Sequence, residues 1–328
     1  MTTRISARRQ AATGDARRRV ERWIRRELAR HPPKAKSLVI TAWGDAIAPH
    51  GGVVWLGSLI RLLAPLGLNE RLVRTSVYRL TREGWLEAQQ DGRRSLYRLT
   101  PAGSERFEHA YRRIYATPPE DWSGEWDLVL APAAALAPAA RRELRRELGW
   151  EGFGTLAPGI LVRPARDGTG ADLATILNRL GAERSLTLLR ARDAPRIASA
   201  PLREAARSGW DLARIASEYR AFLARFRTVA ESFRGARAAE PEQAFVVRTL
   251  LIHAFRRVIL HDPQLPRELA PAHWPAPEAY ALCRDLYRRL ARPSEQHLAV
   301  TLREANGPLP PAAPYLRRRF SSPRSTSL

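Results

Sequence analysis

Residues 69–99 read NERLVRTSVYRLTREGWLEAQQDGRRSLYRL, and this stretch decides the fold of the N-terminal third of the chain. Asn69 is a favourable helix N-cap residue, and Gly84 is favourable just beyond a helix end. At about 100° per residue, three apolar side chains of the intervening helix fall on one stripe and are predicted to face a core: Val73, Val77 and Leu80. The stretch therefore predicts an amphipathic helix.

The opposite face of this helix is predicted to be entirely polar. It carries six groups that can meet phosphates or base edges. They are Arg71, Arg74, Thr75, Tyr78, Arg79 and Arg82. We predict that these residues bind DNA.

Two shorter helices are predicted before this one. The first is capped by Ser37 and runs through Ile47, and the second covers 55–63. A tight turn at 65–68 then leads to Asn69. Three short helices with a turn before the last are typical of a helix-turn-helix, whose last helix reads the major groove.

A β-hairpin is predicted after Gly84, because Asp91-Gly92 is a two-residue hairpin signal. In that register Leu86 faces Tyr97. Two further DNA-binding residues, Arg93 and Arg94, stand at the tip, where a wing contacts phosphates or the minor groove. The alternative to a winged helix is an ordinary helical domain with a solvated arginine face.

The net charge indicates a polyanionic partner. The chain has 328 residues with 55 Lys and Arg against 33 Asp and Glu, a formal charge of +22. Arginine in place of lysine is typical of a GC-rich genome, but the excess of basic over acidic residues is not explained in that way.

Cysteine content and hydropathy favour a cytoplasmic protein. Cys283 is the single cysteine, so neither an internal disulfide nor a cysteine-based metal site is expected, and its helical context predicts a small core residue. No apolar run reaches the ~20 residues of a spanning helix, and the basic N-terminus lacks the apolar region of a secretory signal. No membrane association is predicted.

The chain is predicted to be an α+β protein with three domains between two tails. A winged helix-turn-helix with a leading helix covers 16–115, and a helical C-terminal domain covers 202–303. Between them, 122–195 has the order β-α-β-β-α-β, which favours a ferredoxin-like domain. Basic disordered tails are predicted at 1–15 and 304–328.

Several motifs resemble the PaaX family. They are Ser37-Leu-Val-Ile-Thr-Ala-Trp-Gly-Asp45, Trp55-Leu-Gly-Ser-Leu-Ile60, Val73-Arg-Thr75, Arg79-Leu80, Gly84-Trp-Leu86, Gly92-Arg-Arg-Ser95, Tyr97-Arg-Leu-Thr100, Arg112-Arg-Ile-Tyr115, Trp126, His253, Arg256, Asp262-Pro-Gln-Leu-Pro266 and Trp274. The resemblance spans about residues 20–300. It implies a winged-helix repressor of phenylacetic acid degradation operons, bound to double-stranded operator DNA and released by phenylacetyl-CoA or another acyl-CoA.

The resemblance also implies an effector site, and 248–262 holds the residues that suit it. Arg248, His253, Arg256, Arg257 and Asp262 are the candidates, because CoA phosphates need cationic groups. Arg256 is expected to lie far from the DNA. The alternative is a packed helix ended by Asp262-Pro263, with an arginine paired to an acidic neighbour.

No catalytic motif is recognised, and the chain is predicted not to be an enzyme. The seven histidines show no zinc-binding spacing, and Asp127 alone would be a poor metal site for phosphodiester cleavage. No metal or cofactor is predicted. A homodimer is expected, since one winged helix reads only a short half-site. Two other functions stay open: a non-catalytic RNA- or ribosome-binding protein, and an enzyme of acyl-CoA metabolism.

Overall fold

A computed structural model describes residues 2–92, 94–117, 122–132, 136–166, 170–179, 181–182, 185–192, 202–234, 239–302 and 309–321. The protein is an α+β protein. Its helices are α1 Thr2–Arg30, α2 Ala35–Ala42, α3 Leu56–Leu63, α4 Glu70–Arg82, α5 Pro101–Tyr115, α6 Pro138–Trp150, α7 Gly170–Arg179, α8 Leu202–Arg207, α9 Leu212–Arg234, α10 Pro241–Ile259 and α11 Ala276–Thr301. Its strands are β1 Val54–Trp55, β2 Leu86–Asp91, β3 Arg94–Leu99, β4 Glu125–Leu130, β5 Gly154–Ala157, β6 Ile160–Pro164 and β7 Thr187–Arg192.

The chain divides into two compact units. The first unit consists of Met1–Thr117, Arg220–Arg257 and Ala276–Leu328, and the second of Pro118–Tyr219 and Val258–Pro275. One boundary between the units follows Thr117, in the interval between the predicted domains 16–115 and 122–195. The helices predicted as a separate domain over 202–303 are instead divided between the units, so most of α10 and all of α11 share a unit with α1–α5.

The first unit begins with a long helix on which one face is apolar. Ala16 and Val20 are buried, and the Trp23 indole packs against Phe226 of α9 and donates to the Arg225 carbonyl at 3.1 Å. The helix begins at Thr2, so the backbone of 2–15 is helical where a tail was predicted.

The three-stranded sheet of the first unit has the order β1-β3-β2, and all its neighbours are antiparallel. Leu86 lies opposite Leu99, and Ala88 lies opposite Tyr97. The predicted register, with Leu86 facing Tyr97, is therefore wrong. Asp91, predicted to lie in the loop, instead pairs with Arg94 in the ladder. The loop therefore begins one residue later, at Gly92, whose φ of 58° favours glycine.

The second unit contains the predicted order β-α-β-β-α-β, from β4 to β7. Its sheet has the order β5-β6-β4-β7, and every neighbouring pair is antiparallel. Apolar side chains cover both faces. One core joins the sheet to α6 and α7 through Val129, Leu144, Leu148, Leu161, Leu173 and Ile176, and the other is built on Trp126, Val162 and Leu269.

A buried ionic network holds the first unit together around Asp45. This residue lies in the π-helical segment Trp43–Ile47 that follows α2, and its carboxylate is 1% exposed. It accepts from Arg248 Nε at 2.9 Å and from Arg319 Nη1 at 2.9 Å. The hydroxyls of Tyr115 and Tyr287 donate to the same carboxylate, at 2.7 and 3.0 Å. The Glu295 carboxylate lies 2.7 Å from Arg248 Nη1, so the two guanidinium groups are matched by two carboxylates.

The C-terminal residues 309–321 pack into this unit, although a disordered tail was predicted there. The Phe320 ring is 2% exposed and contacts Tyr115, Tyr280 and Tyr287. Its backbone N–H donates to the Tyr115 carbonyl at 2.9 Å. Proline and arginine suggest disorder by composition, but here an aromatic ring and a paired guanidinium anchor the segment.

Helices α10 and α2 are joined by a short hydrogen-bonded chain. The Thr41 hydroxyl donates to the Ser37 carbonyl at 3.0 Å, so it accepts from Nδ1 of His253 at 2.9 Å. Burial, and then the charges of Arg256, Arg257 and Arg225, lower the pKa of His253 to about 3. His253 is therefore a neutral, buried donor at neutral pH.

We predict that Asp45→Asn lowers the free energy of unfolding by roughly 3–5 kcal/mol, because it leaves the buried Arg319 guanidinium without its carboxylate and Arg248 with Glu295 alone. Glu70→Gln is the control: it removes the exposed pair with Arg74 and should cost at most about 1 kcal/mol. Denaturant unfolding measures both changes. Equal effects in the two variants would show that the buried network does not stabilise the unit.

We also predict an acid dependence caused by His253. Its pKa is about 3 in the folded state and ordinarily 6.5, so the unfolded chain binds the extra proton between these values. The free energy of unfolding should fall as the pH drops through this window, by up to about 1.4 kcal/mol per pH unit. His253→Asn keeps a donor for Thr41 and should flatten this slope.

Denaturant unfolding of both proteins between pH 7 and 4 measures the difference. The raised pKa of His50 acts in the opposite sense, since its stabilisation is lost as the pH rises, but it is common to both proteins and cancels in the comparison. Parallel pH curves would contradict the assignment.

Candidate nucleic-acid interface

Helix α4 begins at a side-chain cap. The Asn69 carboxamide oxygen accepts from the Leu72 N–H at 2.9 Å, as the sequence predicted. Gly67, with a φ of 81°, makes the turn from α3 to α4. The predicted cap at Ser37 is wrong, because α2 begins at Ala35 and its cap residue Lys34 makes no side-chain hydrogen bond.

One face of α4 is completely buried. Val73, Val77 and Leu80 are each at most 1% exposed, which confirms the predicted core stripe. Helix α2 packs against α4, and the Lys36 ammonium lies 2.7 Å from the Glu83 carboxylate at the end of α4. The orientation of α4 is therefore fixed by its neighbours.

The other face of α4 is open to solvent. All six predicted residues are exposed: Arg71, Arg74, Thr75, Tyr78, Arg79 and Arg82. Tyr78 is 62% exposed, an unusual position for a large aromatic side chain unless a partner covers it. Leu72 is also 42% exposed, so the face is not entirely polar as predicted. Arg74 lies 2.7 Å from the Glu70 carboxylate, an exposed pair that a phosphate can replace.

The hairpin that follows α4 is anchored at its base. The Thr100 hydroxyl donates to the Gly84 carbonyl at 2.6 Å and accepts from the Gly103 N–H at 2.9 Å, which caps α5. Trp85 packs edge-on against Phe107, and the Arg106 guanidinium lies over the Trp85 ring. Of the two predicted tip residues, Arg93 lies outside the described residues, as does the side chain of Arg94.

The candidate effector residues do not form one cluster. Arg248 is buried in the Asp45 network, and its Nη1 also donates to Glu295 at 2.7 Å, so its nitrogens already have protein acceptors. Asp262 belongs to the second unit, where it accepts from the Tyr219 hydroxyl at 2.6 Å and from the Gln264 N–H at 2.7 Å. These two residues have structural partners rather than a position at the rim of a pocket.

The other three candidates share helix α10 in the first unit. His253 contacts Thr41, and Arg256 donates to Ser37 at 3.0 Å, so both reach α2. Through Ser37, Arg256 contacts the helix that packs on α4, and its distance from the DNA stays a prediction. Arg257 is exposed.

Carboxylates of the described residues are used in ion pairs rather than grouped for a metal. The Asp127 carboxylate is held by Arg163 at 3.2 Å and by Arg190 at 3.1 Å. Across the described ranges, no group of three or more His, Cys, Asp and Glu side chains could hold a metal ion. Cys283 is fully buried in α11, as predicted, and burial raises the pKa of its thiol.

Sequence reasoning missed the residues that support this interface. Asp45 is a lone charge inside an apolar run, and that is a local signal of a buried, paired carboxylate. Arg319 gives no such signal, because its partner Asp45 lies 274 residues away in the sequence.

No helix within the described ranges is long and apolar enough to span a membrane.

Comparison with known proteins identifies the family. The model of the PaaX-like protein matches residues 34–103, that of the PaaX protein central Cas2-like domain matches 119–206, and that of the PaaX-like protein C-terminal domain matches 210–300. The transcriptional repressor PaaX of Escherichia coli (strain K12) is 34% identical over 302 residues, which cover 92% of this chain and 94% of that protein.

Among solved structures, the uncharacterized protein Rv0674 from Mycobacterium tuberculosis is similar to this chain. Its TM-score is 0.45 with 24% identity, over 85% of this chain and 97% of that one. The curated relative is a transcriptional repressor, and this relationship confirms the prediction that the chain is not an enzyme. The three family models and the identity over nearly the whole chain show that this protein belongs to the PaaX family.

Proposed function

We propose that this protein is a sequence-specific, DNA-binding transcriptional repressor. The observation that carries the proposal is the division of α4 into one fully buried and one fully exposed face, the exposed one bearing four arginines, Thr75 and Tyr78. A helix held rigidly by one face can present the other to the major groove with its side chains in a fixed register. The curated repressor relative supports this reading.

The first unit is proposed to contain a winged helix-turn-helix. Helices α2, α3 and α4 supply the helical part, and the hairpin of β2 and β3 supplies the wing. The antiparallel four-stranded sheet, with its order β5-β6-β4-β7, supports a ferredoxin-like domain in the second unit. In this arrangement Arg71 and Arg82 read base edges, whereas Arg93 and Arg94 contact phosphates.

The regulated genes are proposed to be an operon for phenylacetic acid catabolism, and the signal an acyl-CoA, phenylacetyl-CoA first of all. Family membership supports both parts. The effector is proposed to prefer a dimer geometry in which the two recognition helices no longer match the half-site spacing. Linkage then requires that operator DNA weaken effector binding by the same factor by which the effector weakens DNA binding.

A gel-shift experiment tests the function. The protein should shift DNA from upstream of its own gene, and phenylacetyl-CoA or another CoA thioester should release it. Binding to structured RNA that is equal to or tighter than binding to this DNA would favour the RNA-binding alternative instead.

We predict that Arg71→Ala or Arg82→Ala weakens operator binding by about 1–3 kcal/mol, the value of a bidentate contact with guanine. Arg142→Ala with Arg145→Ala is the matched control for a double variant, because both are exposed arginines of α6 in the second unit. Fluorescence anisotropy at one fixed salt concentration compares the proteins. Unchanged operator affinity in the folded Arg71/Arg82 double variant would refute the assignment of α4.

We predict a homodimer, because one winged helix covers only a half-site and operators mirror the two-fold symmetry of their repressors. The later helices and the second unit are expected to hold the dimer, since the arginine-rich N-terminal surface repels its copy. Sedimentation equilibrium at micromolar concentration gives the mass. A monomer that stays monomeric on operator DNA would contradict this expectation.

A further inference from the structure

Arg256 is a largely buried residue whose guanidinium group has no carboxylate partner among the described residues. Its Nη2 donates to the Ser37 hydroxyl at 3.0 Å, and this is a neutral acceptor. Its Nε is buried and has no hydrogen-bond partner. No carboxylate of the described residues forms an ion pair with it, yet the side chain keeps a partial exposure through which a solute can reach it.

The buried Arg248 and Arg319 of the same unit have carboxylate partners, since both contact Asp45. The partly buried Arg225 has its Nε 3.0 Å from the buried Glu27 carboxylate. Burial, and then the neighbouring Arg257, lower the pKa of Arg256 to about 10, whereas the pKa of Arg248 is raised by its carboxylates despite its burial. A buried charge is costly unless it is paired, so the surroundings of Arg256 lack an anion.

The group that Arg256 contacts lies at the N-terminus of α2. Ser37 is in the first turn, and the cap residue Lys34 makes no side-chain hydrogen bond, so the first N–H groups of the helix lack a side-chain acceptor. The helix dipole adds positive potential at this end. His253, one turn before Arg256 on α10, stays neutral and supplies no negative charge.

We propose that Arg256, Ser37 and the first turn of α2 form a binding site for a phosphate group. A guanidinium, a hydroxyl and backbone N–H groups are the donors that phosphate-binding sites combine. A phosphate, with three terminal oxygens, uses more of these donors than a carboxylate does. Its charge compensates the guanidinium that the protein leaves unpaired.

We assign this phosphate to the acyl-CoA effector, and this assignment rests on the proposed function. Helix α2 packs on α4, and Lys36, next to Ser37, pairs with Glu83 at the end of α4. A phosphate at Ser37 therefore binds to the helix that supports the DNA-reading helix. This position gives the effector a direct route to the operator interface.

Thermal unfolding in phosphate and in chloride at equal ionic strength tests the site. The wild-type melting temperature should be higher in phosphate. Arg256→Met should raise the melting temperature in chloride, because it removes an unpaired buried charge, and should abolish the gain from phosphate. Arg220→Gln is the matched control, since it removes one exposed arginine of the same unit and should keep the wild-type gain.

Ser37→Ala provides a second variant in case Arg256→Met does not fold, and it should reduce the gain from phosphate. An equal gain in the wild type and in whichever of these two variants folds would overturn the proposal. The proposal would also be overturned if phosphate did not raise the melting temperature of the wild type above its value in chloride, at concentrations where sulfate does not raise it either.

Calorimetry with free CoA and phenylacetyl-CoA, followed by operator binding, separates this site from the proposed function. Binding of CoA that depends on Arg256 supports the site, and CoA binding unaffected by Arg256→Met counts against it. If phosphate and CoA bind through Arg256 but no CoA thioester changes operator affinity, the site stands and the proposed effector fails. If a thioester releases operator from Arg256→Met as well as from the wild type, the effector stands and the site fails.

Discussion

The first unit depends on the carboxylate of Asp45. Two guanidinium groups and two tyrosine hydroxyls converge on it, and all of them are withdrawn from water. Such a cluster is tolerated only when every charge has its partner, because desolvation of an isolated ion exceeds most single contributions to stability. The network therefore specifies a unique arrangement of the segments that supply its members.

Those segments come from all over the chain. Asp45 follows α2, Tyr115 ends α5, Arg248 lies on α10, Tyr287 on α11, and Arg319 near the C-terminus. Ion pairs and hydrogen bonds to Asp45 thus connect the helices proposed to read DNA with segments from the C-terminal part of the sequence. His253 and Arg256 of α10 hydrogen-bond to Thr41 and Ser37 of α2, and Arg248 of α10 donates to the Asp45 carbonyl just after α2. A change in the position of α10 therefore also affects α2. Packed and hydrogen-bonded connections of this kind can carry energetic coupling between sites.

Local features of the fold were predictable from the sequence, and distant ones were not. The cap at Asn69 and the stripe of Val73, Val77 and Leu80 depend on spacing within one helix, and the structure confirms them. The hairpin was predictable, but its register was not, because Asp91-Gly92 and Gly92-Arg93 both place a glycine in the loop. The exposure of the α4 face was predictable for the same reason as its core stripe.

What failed depended on partners far apart in sequence. Nothing local to Arg319 or Phe320 distinguishes them from a disordered basic tail, and Arg248 was assigned to a ligand because its carboxylate partner lies 203 residues away. Arg256 shows the converse: the alternative to an effector site paired it or Arg257 with an acidic neighbour, whereas among the described residues Arg256 donates to the Ser37 hydroxyl. Charge pairing is a property of the folded chain, so sequence periodicity does not reveal it.

The packed C-terminal residues also have a consequence for how the protein is made. Asp45 is synthesised early, and Arg319 follows 274 residues later. The carboxylate therefore has one of its two cationic partners only after those residues have been synthesised. The main segment of the second unit, Pro118–Tyr219, and its remaining part, Val258–Pro275, emerge well before that. Synthesis runs at about 5–20 residues per second, so domains complete earlier in the sequence fold first. A nascent chain thus carries α2, α3 and α4 before the buried network beneath them is complete, and it can finish that network only after Arg319 has emerged.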